Sequence, residues 1–295
     1  MRSTRIERFL DKPLQEKRRF VIRRVKVFLQ AVLSKAHFVT RLEPGFWWLA
    51  WEDVIRDSVL DGTFEAGERK FVQRFLQPGM TVLDIGAYYG LYTLTASICV
   101  GVNGQVIAFE PSPFQRKRLR WHLRINRCRN VLVENVALGK EESEQTLFSV
   151  PGESAGYSGL RSPEVGANVE PISVQVKALD KYLHMSQIHT VDLIKIDVEG
   201  GELDVFRGAA ELLGERSRPL ILCELEDVRT AAWGHRARDT AAFVEGFGYR
   251  WFRTTQDGSL ALWDGGTACD ERNFVAVPPE RMTQVEEMIR NEIRS

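Results

Sequence analysis

The stretch Thr81-Val-Leu-Asp-Ile-Gly-Ala-Tyr-Tyr-Gly90 decides the fold. A short apolar run ends in the acid Asp84, and Gly86 and Gly90 follow before a helix-like segment begins. A second apolar run, 105–109, ends in Glu110 and Pro111. A buried strand that feeds a glycine turn, followed by a strand ending in a carboxylate, is how α/β folds hold an adenosine-bearing cofactor. The turn lets backbone approach the ligand, and the second carboxylate takes both ribose hydroxyls.

From Val82 onward strand and helix signals alternate, the pattern of a parallel sheet covered on both faces. Strands are expected near 81–85, 105–109, 131–135, 191–196 and 219–224, and helices near 89–99, 113–126, 202–213 and 237–246. Residues 139–180 break the rhythm with Gly, Ser and Pro, and their one alternating run, 172–176, predicts a short hairpin beside a substrate-facing loop. Three short runs, 249–254, 259–263 and 273–277, suit antiparallel edge strands, and a charged helix over about 279–294 closes the chain. The fold class is α/β, a doubly wound, Rossmann-like sheet. The chain divides into an N-terminal basic helical arm with a Trp-rich segment (1–62), the main domain (63–278) and a C-terminal helix (279–295).

With 295 residues, 44% apolar and 27% charged, the chain suits one large soluble domain with appendages. Its charge is balanced but unevenly placed: residues 1–41 hold eight Arg and four Lys against Glu7, Asp11 and Glu16, a net +9 that leaves −9 for the rest. An acidic body with a basic arm argues against a nucleic-acid partner, whose basic face should lie on the folded domain. Within the arm, Val21, Val25, Phe28, Leu29, Val32 and Leu33 share one helical face among arginines. Residues 17–36 therefore fit a helix docked on its own domain, a peripheral membrane contact or an enzyme-partner groove. Trp47, Trp48 and Trp51, after Pro44-Gly45, are expected to pack the arm against the core. Four dispersed cysteines with no C-x-x-C pair imply buried thiols in a reducing cytoplasm. The start of the chain is charged rather than signal-like, and no run approaches the ~18 apolar residues of a spanning helix. The expected location is cytoplasmic, or peripheral on the inner membrane surface.

The glycine turn also narrows the cofactor. A nicotinamide fingerprint needs G-x-G-x-x-G to seat a pyrophosphate, and here Tyr88 stands at the second glycine's place, where it would crowd a diphosphate. Asp84 instead suits a cationic amino group, as the methionine end of S-adenosylmethionine carries. A third element then points to a family. Val191-Asp-Leu-Ile-Lys-Ile-Asp-Val-Glu-Gly-Gly-Glu202 resembles the IKIDVEGxE signature of the FkbM-type methyltransferases. The resemblance runs from about Glu65 to Pro278. It includes Asp84-Ile-Gly-Ala, Ala108-Phe-Glu-Pro111, Val136-Ala-Leu-Gly139, Leu179-Asp180, Arg207-Gly-Ala209, Ile221-Leu-Cys-Glu224 and Asn273-Phe-Val-Ala-Val-Pro278. It implies the seven-stranded class I methyltransferase fold, S-adenosylmethionine as cofactor, and O-methylation of a hydroxyl on a saccharide or natural-product small molecule. By the same resemblance Asp84, Gly86 and Gly90 shape the methionine end, with Ala87 and Tyr89 in the same turn. Glu110 binds the ribose, with Pro111 and Ser112 beside it, and Val136 and Ala137 lie by the adenine. Gly201 departs from the family's usual residue and is expected to loosen the turn before the next helix.

Methyl transfer to a hydroxyl needs positioning and a general base within hydrogen-bond reach. Asp197, at the end of the fourth parallel strand, is the first candidate and also adjoins the cofactor. Lys195, two residues earlier on the same strand face, holds that carboxylate charged or orients the acceptor. Glu199 and Glu224 are second choices, and His235 can reach the same rim and titrates in a useful range. Asp197, Glu199 and Glu224 offer the hard oxygens magnesium prefers, but no fixed metal spacing is visible, and no metal is assigned.

Rival readings carry less. Gly152-Glu-Ser-Ala-Gly156 matches a hydrolase elbow, with His184, His189 and His235 downstream, yet Tyr157-Ser-Gly-Leu-Arg-Ser-Pro163 is a poor helix start. Glu110-Pro-Ser-Pro-Phe114 resembles the acidic Pro-Pro-aromatic motif of amino-group methyltransferases but sits at the ribose-binding strand. An N-methyltransferase or a non-catalytic S-adenosylmethionine sensor remains the alternative. The acceptor, a small molecule or glycan, has no readable code; loop 150–170, the tryptophans and segment 227–240 are expected to line its pocket.

Overall fold

The computed structural model describes residues 38–51, 53–150, 156–162, 169–263 and 273–290; the 17–36 segment and most of the 152–156 run lie outside them. The first described elements are β1 (Phe38–Leu42), β2 (Phe46–Ala50), α1 (Arg56–Leu60) and α2 (Ala66–Phe75). The alternation follows as β3 (Thr81–Ile85), α3 (Leu91–Val100), β4 (Gln105–Phe109), α4 (Pro113–Ile125) and β5 (Val131–Glu134). A side sheet of β6 (Ala137–Leu138), β7 (Ser143–Ser149) and β8 (Glu170–Lys177) interrupts it, and α5 (Leu179–Met185) leads back. The rhythm resumes with β9 (Leu193–Ile196), α6 (Glu202–Arg207), α7 (Ala210–Gly214), β10 (Leu220–Glu224), α8 (Asp227–Thr230) and α9 (Ala237–Glu245). The chain then forms β11 (Arg250–Thr254), β12 (Leu260–Leu262), β13 (Asn273–Val277) and α10 (Met282–Arg290).

The main sheet has the order β12-β11-β13-β10-β9-β3-β4-β5. Five adjacent strands, β10, β9, β3, β4 and β5, are parallel, while β13, β11 and β12 pair antiparallel. Seven strands make the doubly wound sheet, and β12 is an eighth at one edge. Strand order reverses at β3, so the carboxyl ends of β3 and β9 open the crevice where such sheets bind ligands. β13 is not an edge strand as expected. It is inserted between β10 and β11, and its residues 274–277 are all buried because both faces are covered.

Alternation along the strands builds a core on each face. Leu83, Ile85, Ile107, Phe109, Ile194, Ile196 and Ile221 pack under α5, α6, α7 and α9, and Val82, Val106, Leu193, Leu220 and Leu222 pack under α2 and α3. Burial on both sides is why these strands read as continuous apolar runs.

Two further elements differ from the sequence expectation. The described part of the 1–62 region, which carries the Trp-rich segment, opens as a hairpin: Gly45 N donates to Leu42 O at 2.8 Å, and Phe46 and Trp48 bury against Ala87, Tyr89, Leu91 and Leu119. The 202–213 helix is split at Gly208, where a Cβ would stand 2.1 Å from the Gly139 carbonyl oxygen. Asp180 then caps α7, accepting from the Glu211 and Leu212 amides at 2.8 and 2.9 Å.

Candidate active site

A cavity of about 210 Å³ opens at the carboxyl ends of β3, β4, β9 and β10. Asp84, Gly86, Ala87, Glu110, Pro111, Val136, Ala137, Lys195, Asp197, Glu199 and Glu224 line it. Tyr89, Gly90, Ser112 and His235 do not. Gly90 is a packing glycine: its φ is 91°, and a Cβ would meet Leu119 Cδ1 at 2.3 Å. Tyr89 turns away onto Trp51 and the Arg118 guanidinium. Its neighbour Tyr88 lines the cavity instead. Ser112 acts through its backbone, donating to Glu110 Oε1 at 2.9 Å. His235 keeps Nε2 buried without a partner, away from the cavity that Arg229 and Trp233 reach.

The β3–β4 end is held by backbone. Gly86, with φ 78°, leaves room for the Asp197 carbonyl oxygen, which a Cβ would approach to 1.8 Å. Tyr88 sits at φ 51°, so its amide points at Glu110 and donates to Oε2 at 2.8 Å. Its ring stacks on Tyr89, and its hydroxyl donates to Asp53. Glu110 thus receives two N–H groups, one on each oxygen, yet burial still pushes its carboxyl up to about 7. Asp84, 1% exposed, accepts from Thr93 Oγ1 on one oxygen, and its Oδ1 has no partner. Burial raises this carboxyl too, against the pull of Lys195, its direct neighbour in the β3–β9 register. An orphaned buried acceptor at one strand end and a carboxylate with remaining lone pairs at the next fit a ligand that bears a cationic amine and a diol.

The β9–β10 end is held by side chains. Lys195 Nζ lies 3.2 Å from Asp197 Oδ2 and 5.4 Å from the Tyr92 ring centre. Burial alone would lower this ammonium, but Asp197, Asp84 and Glu65 together outweigh it and hold it up. Asp197 feels the opposite balance: burial raises it, while Lys195 and a hydrogen bond with Glu224 bring it below the ordinary carboxylate value. Glu224 is driven well up by burial and by Asp197, Glu199 and Glu202. The opposed shifts favour a shared proton on Glu224 over Asp197. Burial, then Asp197, pushes Glu199 up to about 8, although Arg229 Nε lies 3.2 Å from its Oε2. Oxygens of Asp197, Glu199 and Glu224 all lie within 4.8 Å of one another. Lys195 and Arg229 sit against these same carboxylates, so a cation placed among them would contend with both.

The turn beneath this cluster explains the signature's spacing. Glu199 and Gly200 both have positive φ, 58° and 95°. Glu202 folds the turn from below, its Oε1 accepting from Val198 N at 2.9 Å and Gly200 N at 3.3 Å. Gly201 is not there for flexibility. Its φ is an ordinary −83°, and a Cβ would lie 2.8 Å from Trp233 Cζ2. Trp233 in turn donates from Nε1 to the Glu199 carbonyl at 3.1 Å. The 150–170 loop lines the cavity through residues 156–160, with Arg229 over the Tyr157 ring and Arg161 over Trp233. The sequence reading did not find Glu65, which accepts from Tyr92 Oη at 2.7 Å and Asn273 Nδ2 at 2.9 Å, nor Tyr88 as a wall residue, and it placed Arg229 and Trp233 at the wall only as part of segment 227–240.

Comparison with known proteins bears on this geometry. A family model described as the methyltransferase FkbM domain matches residues 84–251, more than half of the chain. The chain is 29% identical over 237 residues to the AMB antimetabolite synthetase AmbE of Pseudomonas aeruginosa, covering 69% of this chain and 11% of the synthetase. It is 25% identical over 143 residues to Methyltransferase 1 of Beauveria bassiana, covering 43% and 57%. The chain thus spans about a tenth of one curated relative and little more than half of the other. The crystal structure of methyltransferase FkbM from Methylobacillus flagellatus superposes with a TM-score of 0.44 at 16% identity, covering 76% of this chain and 54% of that one. On the family match, which takes in Asp84, Glu110 and the whole 191–202 signature, the chain belongs to the FkbM methyltransferase domain family.

Proposed function

We propose that this methyltransferase uses S-adenosylmethionine to O-methylate a hydroxyl of a saccharide or natural-product small molecule. The observation that carries the reading is one cavity with two unlike ends: a backbone-held diol and amine cradle, and a carboxylate cluster with a member poised near neutrality. Glu110 would hold the ribose hydroxyls and Asp84 the amino group, while Val136 and Ala137 flank the adenine. When bound, S-adenosylmethionine supplies a sulfonium methyl whose carbon–sulfur electron pair returns to sulfur as an acceptor oxygen attacks in line.

The residues of the other end manage the acceptor. Asp197, held below the ordinary carboxylate value by Lys195 and Glu224, anchors the cluster beside the acceptor, whose hydroxyl points its one hydrogen at Glu199. Those same donors make it a weak base, and the proton passes instead to Glu199, whose value near 8 suits a base at physiological pH. Arg229 and Trp233 hold Glu199 in place. Calorimetric titration with S-adenosylhomocysteine tests the reading, for wild type and for Glu110→Ala. Saturable binding that collapses in the variant is expected, and no binding by well-folded wild type overturns it. Turnover over a panel of hydroxylated acceptors then separates the enzyme from a binding-only sensor.

A further inference from the structure

Helix α4 puts Gln115 into the cavity wall and, on its outer side, a row of cations. Lys117, Arg120 and Arg124 follow at spacings of three and four, all exposed, and the exposed Arg127 and Arg129 lie just past the helix end. No acidic residue stands between Glu110 and Glu134. Among the described residues, none of these five forms a salt bridge. Arg116 and Arg118 on the same helix are otherwise engaged, the first by the Glu110 and Pro111 carbonyls and the second by the Trp51, Tyr89 and Phe114 rings. The balanced overall charge hid a basic face on the folded domain.

An apolar patch adjoins the row. Asn126 and Trp47 exchange hydrogen bonds, Trp47 N to Asn126 Oδ1 at 2.6 Å and Asn126 Nδ2 to Trp47 O at 2.7 Å. Alternation along β2 sends Trp48 inward and Trp47 outward, where it is 48% exposed. Its cross-strand neighbour Arg41 and then Val39, also 48% exposed, share that outer face.

Like charge excludes two occupants. The chain ahead of the hairpin is itself strongly basic, and a second copy meeting this face would set cations against cations. We propose that this face docks on an anionic phospholipid surface, its cations against the headgroups and Trp47 and Val39 at the acyl boundary. An exposed valine neither stacks on a base nor bonds a phosphate, which favours a bilayer over a polynucleotide. This inference is independent of the methyl-transfer reading.

The test is flotation of the full chain with phosphatidylcholine vesicles, with and without roughly 30% phosphatidylglycerol. Wild type is expected to float only with the anionic vesicles and to be released by salt. Lys117→Gln/Arg120→Gln/Arg124→Gln/Arg127→Gln is expected to bind about 600-fold more weakly, at roughly fivefold per cation, and Trp47→Ala several-fold more weakly. Unchanged S-adenosylhomocysteine titration in both variants shows that the fold and cavity survive. Absent flotation, or flotation unchanged in the fourfold variant, overturns the proposal. So does tighter binding to a single-stranded polynucleotide than to the vesicles.

Discussion

Both ends of the cavity place carboxylates at the ends of parallel strands, yet they stabilise them by opposite means. At β3–β4, Glu110 is held by the amides of Tyr88 and Ser112, and the left-handed backbone at Gly86 and Tyr88 aims that turn. At β9–β10, Asp197 and Glu199 are held by Lys195 and Arg229, side chains brought in from a strand and from a distant helix. A backbone cradle has one shape and suits a ligand that never changes. A cluster of paired side chains can be retuned by single substitutions, which would suit the acceptor end of the proposed reaction.

The sharpest way to break this contrast is to spoil the backbone end. Gly86→Ala sets a Cβ 1.8 Å from the Asp197 carbonyl at a φ that side chains resist. It is expected to abolish S-adenosylhomocysteine binding and to lower the melting temperature by about 5 °C or more. Retained binding in a calorimeter would show that the turn is not the cradle. At the other end, Glu199→Gln is expected to lower kcat by roughly 10²- to 10⁴-fold, the range for loss of a general base, and to leave S-adenosylhomocysteine affinity alone. The pH–rate profile sharpens this, because a base must be unprotonated to act. With Glu199 raised to about 8, the rate climbs through that pH, whereas a limb below the ordinary carboxylate value would return the role to Asp197.

Glu110→Gln keeps one oxygen and loses the charge, so cofactor affinity is expected to fall roughly tenfold to 100-fold in the same titration. Smaller still is a stability trend that both ends share. Glu110 and Glu202 are raised to about 7 and Glu199 to about 8, each by burial first, so the folded chain binds protons that the unfolded chain has released. Stability is therefore expected to fall as pH rises from the ordinary 4.5 through 7 to 8, and Glu202→Gln should flatten that fall in thermal melts.

The same contrast explains what could be read from the sequence. A backbone cradle is a local object: Asp84, Gly86 and Glu110 belong to two adjacent strands and their turns, so short spacing captured them. The sheet was legible for a similar reason, since strands buried on both faces must be continuous apolar runs. The side-chain end depends on long-range placement. Nothing in Ala231-Ala-Trp-Gly234 announces that its indole packs on Gly201, and nothing around Glu65 points to Tyr92 and Asn273. His235 carried suggestive chemistry but lies off the cavity its neighbours reach. The hairpin did leave a signal, Pro44-Gly45 between aromatic β-formers, which the basic helical pattern ahead of it obscured.

The finest test of separable ends is Gly201→Ala. A methyl at this position lies 2.8 Å from Trp233, whose indole is half-buried and can swing outward. The cost is expected to be about 1 kcal/mol of stability. The displaced indole would give up its hydrogen bond to the Glu199 carbonyl and loosen the turn that carries Glu199. Acceptor KM should then rise several-fold while S-adenosylhomocysteine affinity stays within error. Trp233→Leu removes the collision, so in a double-mutant cycle the Gly201→Ala penalty should shrink by roughly 0.5–1 kcal/mol. If cofactor affinity falls in step with acceptor KM, the contact of Gly86 on the Asp197 carbonyl transmits strain between the ends, and the cavity works as one unit.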